Sequence, residues 1–187
     1  PLIHCLEGDE LTAKQLDRDT VLSRLKAVLE NPNIGKIGQH LKYDAHILSH
    51  YDIDLIGAIH DTDAKNNWAM DTMLASYVIN AAITRHGMDD LARHYLHTQT
   101  ISYEDVAGKG AKQVSFDQVA IDIASDYACE DADITYQLFE LFNDKLADDA
   151  NNAQLLHELE IPVAQILCQM EAHGILIKRP FLNELSK

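Results

Sequence analysis

The chain has 187 residues, of which 47% are hydrophobic, and carries 15 Lys or Arg against 30 Asp or Glu, a formal charge of −15. That length holds one ordinary domain and the beginning of another, and no run approaches the roughly 18 apolar residues of a membrane span. The acidic balance excludes a domain that grips nucleic acid by bulk electrostatics, because neutralising phosphates takes clustered Lys and Arg.

The opening Pro1-Leu2-Ile3-His4-Cys5 lacks an initiator Met, a basic segment and a long apolar stretch, so it reads as a cut end rather than a signal peptide. Val21, Leu22, Leu25, Val28 and Leu29 recur at helical spacing before Asn31-Pro32, which predicts a first helix over 19–30. Ile34 to Gly38 is too short for a helix and reads as a strand leading into a helix that contains Asp44; Leu55 to Ile59 reads as another strand. Asp61 to Met70 is polar with one Trp and is expected to be a loop. A helix follows over 71–80, with Asp71 placed to cap it. Met88 to Leu96 predicts a further helix, and Gly108-Lys109-Gly110-Ala111-Lys112 a flexible basic loop. Ser115 can cap a helix from about Asp117, and another runs from Tyr127 to Ala147. Asp148-Asp149-Ala150-Asn151-Asn152 breaks the pattern and divides the chain into units 1–149 and 150–187. Beyond it Leu155, Leu159, Val163, Ile166, Leu167 and Met170 predict a helix that Gly174 ends, and Ile175-Leu176-Ile177 reads as extended. Two strands are few for an α/β domain, so further strands of the same sheet are expected upstream of Pro1.

Two carboxylates break the hydrophobic patterning. Tyr127 and Asp131 stand one turn apart on a stripe continued by Ile134, Leu138, Leu141 and Phe142, so the carboxylate points the same way as core-forming side chains. Asp44 repeats the anomaly, with Ile47, Leu48 and Tyr51 at i+3, i+4 and i+7. A buried carboxylate needs a charged partner, dense hydrogen bonding or a metal ion. Taken singly, each aspartate is more simply an N-cap or a surface acid; the pair, with a tyrosine beside one member, favours a shared site. Oxygen ligands on fixed helices suit Mg²⁺ or Mn²⁺, and acidic residues that gather divalent cations against phosphate are compatible with the net charge. Tyr127, whose phenol ordinarily ionises near ~10, suits placing a water better than deprotonating it.

The stretch Lys36-Ile37-Gly38-Gln39-His40-Leu41-Lys42-Tyr43-Asp44 and the later Tyr127-Ala128-Cys129-Glu130-Asp131 resemble the second and third motifs of the 3′→5′ proofreading exonuclease domain of the DNA polymerase I family. Asp71-Thr72-Met73-Leu74, Arg85-His86-Gly87-Met88-Asp89 and Ala107-Gly108-Lys109-Gly110 continue the resemblance in order. Glu160-Ile161-Pro162-Val163 with Met170-Glu171-Ala172-His173-Gly174 resembles the entry to that family's polymerase domain. The resemblance implies an α/β, RNase H-like fold that lacks its first strands here, hence mostly helical, followed by the first helix of a polymerase domain. It implies four carboxylates holding two divalent cations, with Asp44 and Asp131 as two of them and Tyr127 orienting the water. It further implies that Gln39, His40, Lys42, Tyr43, Arg85 and Tyr103 line the path of a single-stranded DNA 3′ end. His40 replaces the asparagine usual in the family and Tyr103 a phenylalanine.

The family's first motif, an Asp-x-Glu that supplies the other two carboxylates, would precede Pro1, so the chain by itself is expected to be inactive. Asp61-Thr62-Asp63 follows an apolar run but comes in the wrong order to replace it. His46 with His50 and His94 with His97 have spacings that can bind zinc, yet lack a neighbouring Cys or a His-Glu-x-x-His frame. Lys109 lacks the frame of a phosphate loop. Cys5, Cys129 and Cys168 have no paired spacing, which suits a reducing, cytoplasmic setting. A monomer without membrane attachment is expected. An RNase D-like or RNase T-like RNA exonuclease, and a non-catalytic exonuclease scaffold, remain alternative readings.

Overall fold

A computed structural model describes residues 15–56, 68–83 and 85–186. The first helix, α1 (Arg18–Leu29), starts at Asp17, whose side chain accepts from the Thr20 amide at 2.8 Å. Strand β1 (Lys36–Gly38) runs into α2 (Leu41–Ser49), and β2 (Trp68–Asp71) runs into α3 (Thr72–Ile79). The two strands are parallel, with Ile37 opposite Met70 and Gly38 opposite Asp71. Both strands therefore hand over to a helix at the same edge of the sheet, which sets the amino ends of α2 and α3 side by side.

Helix α4 (Met88–Leu91) widens into a π turn over Ala92–Leu96. Helix α5 (Tyr103–Ala107) opens on a capping box in which Ser102 and Asp105 bond reciprocally. The longest element is α6 (Ile121–Ala147), and α7 (Ala150–Leu155), a π turn (Leu156–Glu160), α8 (Ile161–His173) and α9 (Arg179–Leu185) complete the described chain. Every fourth residue of α6 from Ile134 through Leu138 and Phe142 to Leu146 is buried, as one face of an α-helix requires. That face packs with Leu41 and Ala45 of α2, Trp68 and Met70 of β2, Leu91, Leu156, Ile161 and Cys168 in one core. Ala107, Val119 and Ala124 form a smaller cluster under Phe116. Among the described residues no helix is long and apolar enough to cross a membrane.

Three boundaries differ from the sequence reading. Trp68 to Met70, expected at the end of a loop, belong to β2; Trp68 and Met70, two residues apart, are each 1% exposed, the alternation a strand imposes. Leu55 and Ile56 are not in a strand; Leu55 is instead a core residue whose carbonyl accepts from the Trp68 indole N–H at 3.0 Å. The rest of the expected strand, residues 57–59, lies outside the described residues, as does Asp61-Thr62-Asp63. The helices expected near Asp117 and Tyr127 are a single 3₁₀ turn (Phe116–Gln118) and one helix from Ile121, because Val119 and Ala120 are extended between them. Ile175 to Ile177, expected to be extended, lie outside any helix or strand among the described residues and are exposed.

The face assigned to Asp44 also differs. Leu41 and Ala45 are buried and Leu48 packs on the core, whereas Ile47 and Tyr51 are 43% and 38% exposed. Asp44 thus stands off the core face of α2, towards an open cleft.

Candidate active site

The cleft lies beyond the carboxyl end of β1, the position at which open α/β sheets receive ligands. It encloses about 490 Å³ and is lined by Gly38, Gln39, Asp44, Met88, Asp131 and Thr135 among others. Gly38 leaves room there for the Leu41 side chain: a Cβ would come within 2.4 Å of Leu41 Cδ2 and displace it. His40 then takes a left-handed conformation (φ 65°, ψ 50°) and α2 begins, which brings Asp44, in its first turns, to the cleft wall. From the other side α6 presents Asp131 one turn beyond Tyr127. Asp131, far along the chain from Asp44, is thereby gathered at the same opening.

Asp44 reaches solvent through the cleft, yet the protein packed around its carboxyl pushes its pKa up, and the charge of Asp71 adds to this. Asp131 is pushed up to about 6, first by burial and further by Asp89 and Glu130, against the lowering effect of a hydrogen bond from Tyr127. Tyr127 is pushed up to about 12, by burial and then by the Asp131 charge and its hydrogen bond. At neutral pH the phenol is therefore a fixed donor to the carboxylate. Two partly desolvated carboxylates under mainly negative fields are placed to gain from a cation. Their hard oxygen donors fit Mg²⁺ or Mn²⁺, although among the described residues no three His, Cys, Asp or Glu side chains converge on a single point.

Asp71 stands behind the cleft, and only part of its role is visible from sequence. It is 1% exposed, and it caps its own helix through the Met73 and Leu74 amides at 3.0 and 3.5 Å. It also accepts from the His40 and Leu41 amides, at 3.0 and 2.8 Å. Burial raises its pKa, and the backbone N–H groups oppose that rise. The helix-capping role was legible in its position; the bond to a second helix 30 residues away was not.

A sequence model of a family described as 3'-5' exonuclease matches residues 5–147. The chain belongs to that exonuclease family. It is 42% identical over 187 residues to DNA polymerase I of Pseudomonas aeruginosa, covering all of this chain and 19% of that protein. It is 40% identical over 191 residues to DNA polymerase I of Rhizobium leguminosarum, covering all of this chain and 18% of the relative. DNA polymerase I of Borreliella burgdorferi is 32% identical over 169 residues, 90% of this chain and 17% of that protein. The exonuclease chain thus spans less than a fifth of the length of these relatives. Its mostly helical α/β architecture with few strands is that of an RNase H-like exonuclease domain.

The six residues expected along a DNA path fall in different places. Gln39 lines the cleft, but its amide is engaged: it donates to the His86 carbonyl at 2.9 Å and accepts from the Thr72 hydroxyl at 2.5 Å. His40 and Tyr43 stack with ring centres 6.2 Å apart, and Tyr43 is 62% exposed. Lys42 turns to Glu171 of α8, 2.6 Å away, and the same carboxylate meets His46 at 3.0 Å. Arg85 lies in a separate hollow with Ile83, Asp90, Arg93 and His94. Tyr103 joins Phe116 and Tyr127 in an aromatic cluster, its ring 6.4 Å from that of Tyr127. Met88 and Thr135, in contact at 3.5 Å across the cleft, were not singled out in sequence; they lack an anomaly of charge or patterning that would mark them.

The raised pKa of Asp131 has a consequence for stability in the absence of metal. The unfolded chain releases this proton near 3.8, whereas the exonuclease holds it to about 6. Between those values the native state binds more protons, so the contribution of Asp131 to stability falls as pH rises through that window. Asp131→Asn is expected to lose less stability than the unsubstituted chain when metal-free protein is taken from about pH 4 to about pH 7 in urea titrations. Equal losses in the two proteins would contradict the assignment.

Proposed function

We propose that the chain is the proofreading part of a DNA polymerase I type enzyme, removing nucleotides one at a time from a single-stranded or frayed DNA 3′ end. The observation that carries this reading is the meeting of Asp44 from α2 with Asp131 from α6 in one cleft, the latter bonded by the Tyr127 hydroxyl. Relatives named DNA polymerase I support DNA as the substrate.

Asp44 and Asp131 would hold Mg²⁺ or Mn²⁺, which supplies positive charge at the phosphate and favours ionisation of water. Asp131 keeps its carboxylate directed by the Tyr127 O–H. Tyr127, protonated throughout the neutral range, can accept a hydrogen bond from water on its phenolic oxygen and so aim the nucleophile without taking its proton. Attack on phosphorus breaks the bond to the 3′ oxygen of the preceding nucleotide. The products are a nucleoside 5′-monophosphate and a 3′-hydroxyl one position shorter. Tyr43 and Tyr103, each partly exposed beside another ring, would offer their open faces for stacking on bases, which suits sequence-tolerant binding.

Residues 150–187 in this reading open the polymerase domain, and the enzyme is a cytoplasmic monomer. With two of the four carboxylates of a two-metal centre, the 187-residue chain alone is expected to degrade a single-stranded oligonucleotide far more slowly than the full polymerase. Robust hydrolysis by the chain alone, abolished by Asp44→Ala, would show instead that its own residues complete the centre. Degradation of RNA in preference to DNA by the full polymerase would contradict the substrate assignment.

A further inference from the structure

Helix α2 carries Asp44 but has no capping side chain of its own: His40 occupies the N-cap position and makes no such bond. Four N–H groups at a helix start need partners, and here the partner comes from the neighbouring strand. One oxygen of Asp71, Oδ2, accepts from the Leu41 amide at 2.8 Å. The other, Oδ1, accepts from His40, Met73 and Leu74. A single buried carboxylate therefore ties the start of α2 to the start of α3, at the point where Gly38 and Asp71 are paired in the sheet. Charge-assisted bonds of this kind are the stronger class, and a carboxylate 1% exposed has no water to exchange them for.

We propose that Asp71 is a positioning residue for the exonuclease reaction: by capping α2 from the adjacent strand, it fixes the direction in which Asp44 faces Asp131 across the cleft. The inference rests on the reading of Asp44 as a cation ligand. Asp44 lies at the fourth residue of α2, so loss of the cap frees the turn that carries it. Asp71 itself, with its oxygens occupied by four amides, stays out of the cleft.

Asp71→Asn separates this role from plain stabilisation. With its oxygen in the Oδ1 position the asparagine keeps the α3 cap and the His40 bond, while its NH₂ group faces the Leu41 N–H, donor to donor. In the full polymerase, amide exchange in a peptide spanning residues 39–45 is expected to rise at least about tenfold, with exchange in α3 and α6 unchanged. The Mn²⁺ concentration giving half-maximal 3′→5′ hydrolysis is expected to rise on the order of tenfold, the scale seen when a group supporting a metal ligand is lost, with a smaller change at saturating Mn²⁺. Asp71→Ala, which removes both caps, is expected to raise exchange in α3 as well. Exchange that rises equally in all three helices of Asp71→Asn, with an unchanged Mn²⁺ requirement, would overturn the proposal and leave Asp71 a stabilising residue only. If the unsubstituted polymerase shows no metal-dependent 3′ hydrolysis, the exonuclease reading fails; exchange confined to 39–45 would still uphold the capping of α2 by Asp71, and uniform exchange would refute it.

Discussion

Asp131→Ala in the full polymerase is expected to lower 3′→5′ hydrolysis of a single-stranded oligonucleotide by on the order of 10²–10³-fold, the scale of losing one group that acts on transition-state charge. Nucleotide incorporation by the same molecule is expected to be unchanged and serves as the control for folding. Asp131 stands partly buried at the cleft with its pKa raised to about 6, so its charge is available at neutral pH but weakly solvated. A weakly solvated anion interacts more strongly with a cation than one in bulk water does. Removing it also deprives the Tyr127 hydroxyl of its acceptor, so the loss includes the orientation of the phenol. Tyr127→Phe keeps the ring against Tyr103 and Phe116 and removes only the hydroxyl; its loss of activity is expected to be smaller than that of Asp131→Ala. Single-turnover rates on one oligonucleotide check both. A fall of less than about tenfold for Asp131→Ala would place the essential carboxylate elsewhere.

The second large effect concerns the frame that holds α6 in place. Phe142 is fully buried and meets the edge of Tyr95 with ring centres 5.0 Å apart and planes at 85°. It shares the buried face with Ile134, Leu138 and Leu146. Phe142→Ala is expected to cost about 3–5 kcal/mol, the transfer free energy of the ring plus the cavity it leaves. Urea denaturation of the chain should show a lower midpoint with an unchanged slope. A cost under about 1 kcal/mol would mean that α6 is not clamped at this point, and the placement of Asp131 by that clamp would fall with it.

The face of α6 was legible because its signal is local: four buried residues at spacing four define it without reference to the rest of the chain. Asp131 was legible for the same reason, as a charge where the pattern called for an apolar residue. Asp44 was found through the same kind of argument but on a misplaced face, since Ile47 and Tyr51 are apolar yet partly open to solvent. Strand β2 escaped detection because four residues following a polar stretch carry too little periodicity to distinguish a strand from a loop. Contacts between distant segments left no trace at all. Lys42 is placed on a DNA path by resemblance, and nothing in its neighbourhood of sequence announces Glu171, its partner 129 residues away. Asp71 announces one helix cap, and only folding reveals that it supplies two. Family resemblance located the motif residues; the geometry adds which of them share the cleft and which are engaged elsewhere.

The claim that Asp44 and Asp131 belong to one two-metal centre is tested most directly by calorimetric titration of Mn²⁺ into the full polymerase, its Asp44→Ala and Asp131→Ala variants, and the double variant. A shared centre predicts that each single substitution weakens Mn²⁺ binding and that the double variant loses less than the sum of the two, as groups acting as a unit do. Binding that is unchanged in both single variants, or strictly additive losses, would contradict the account.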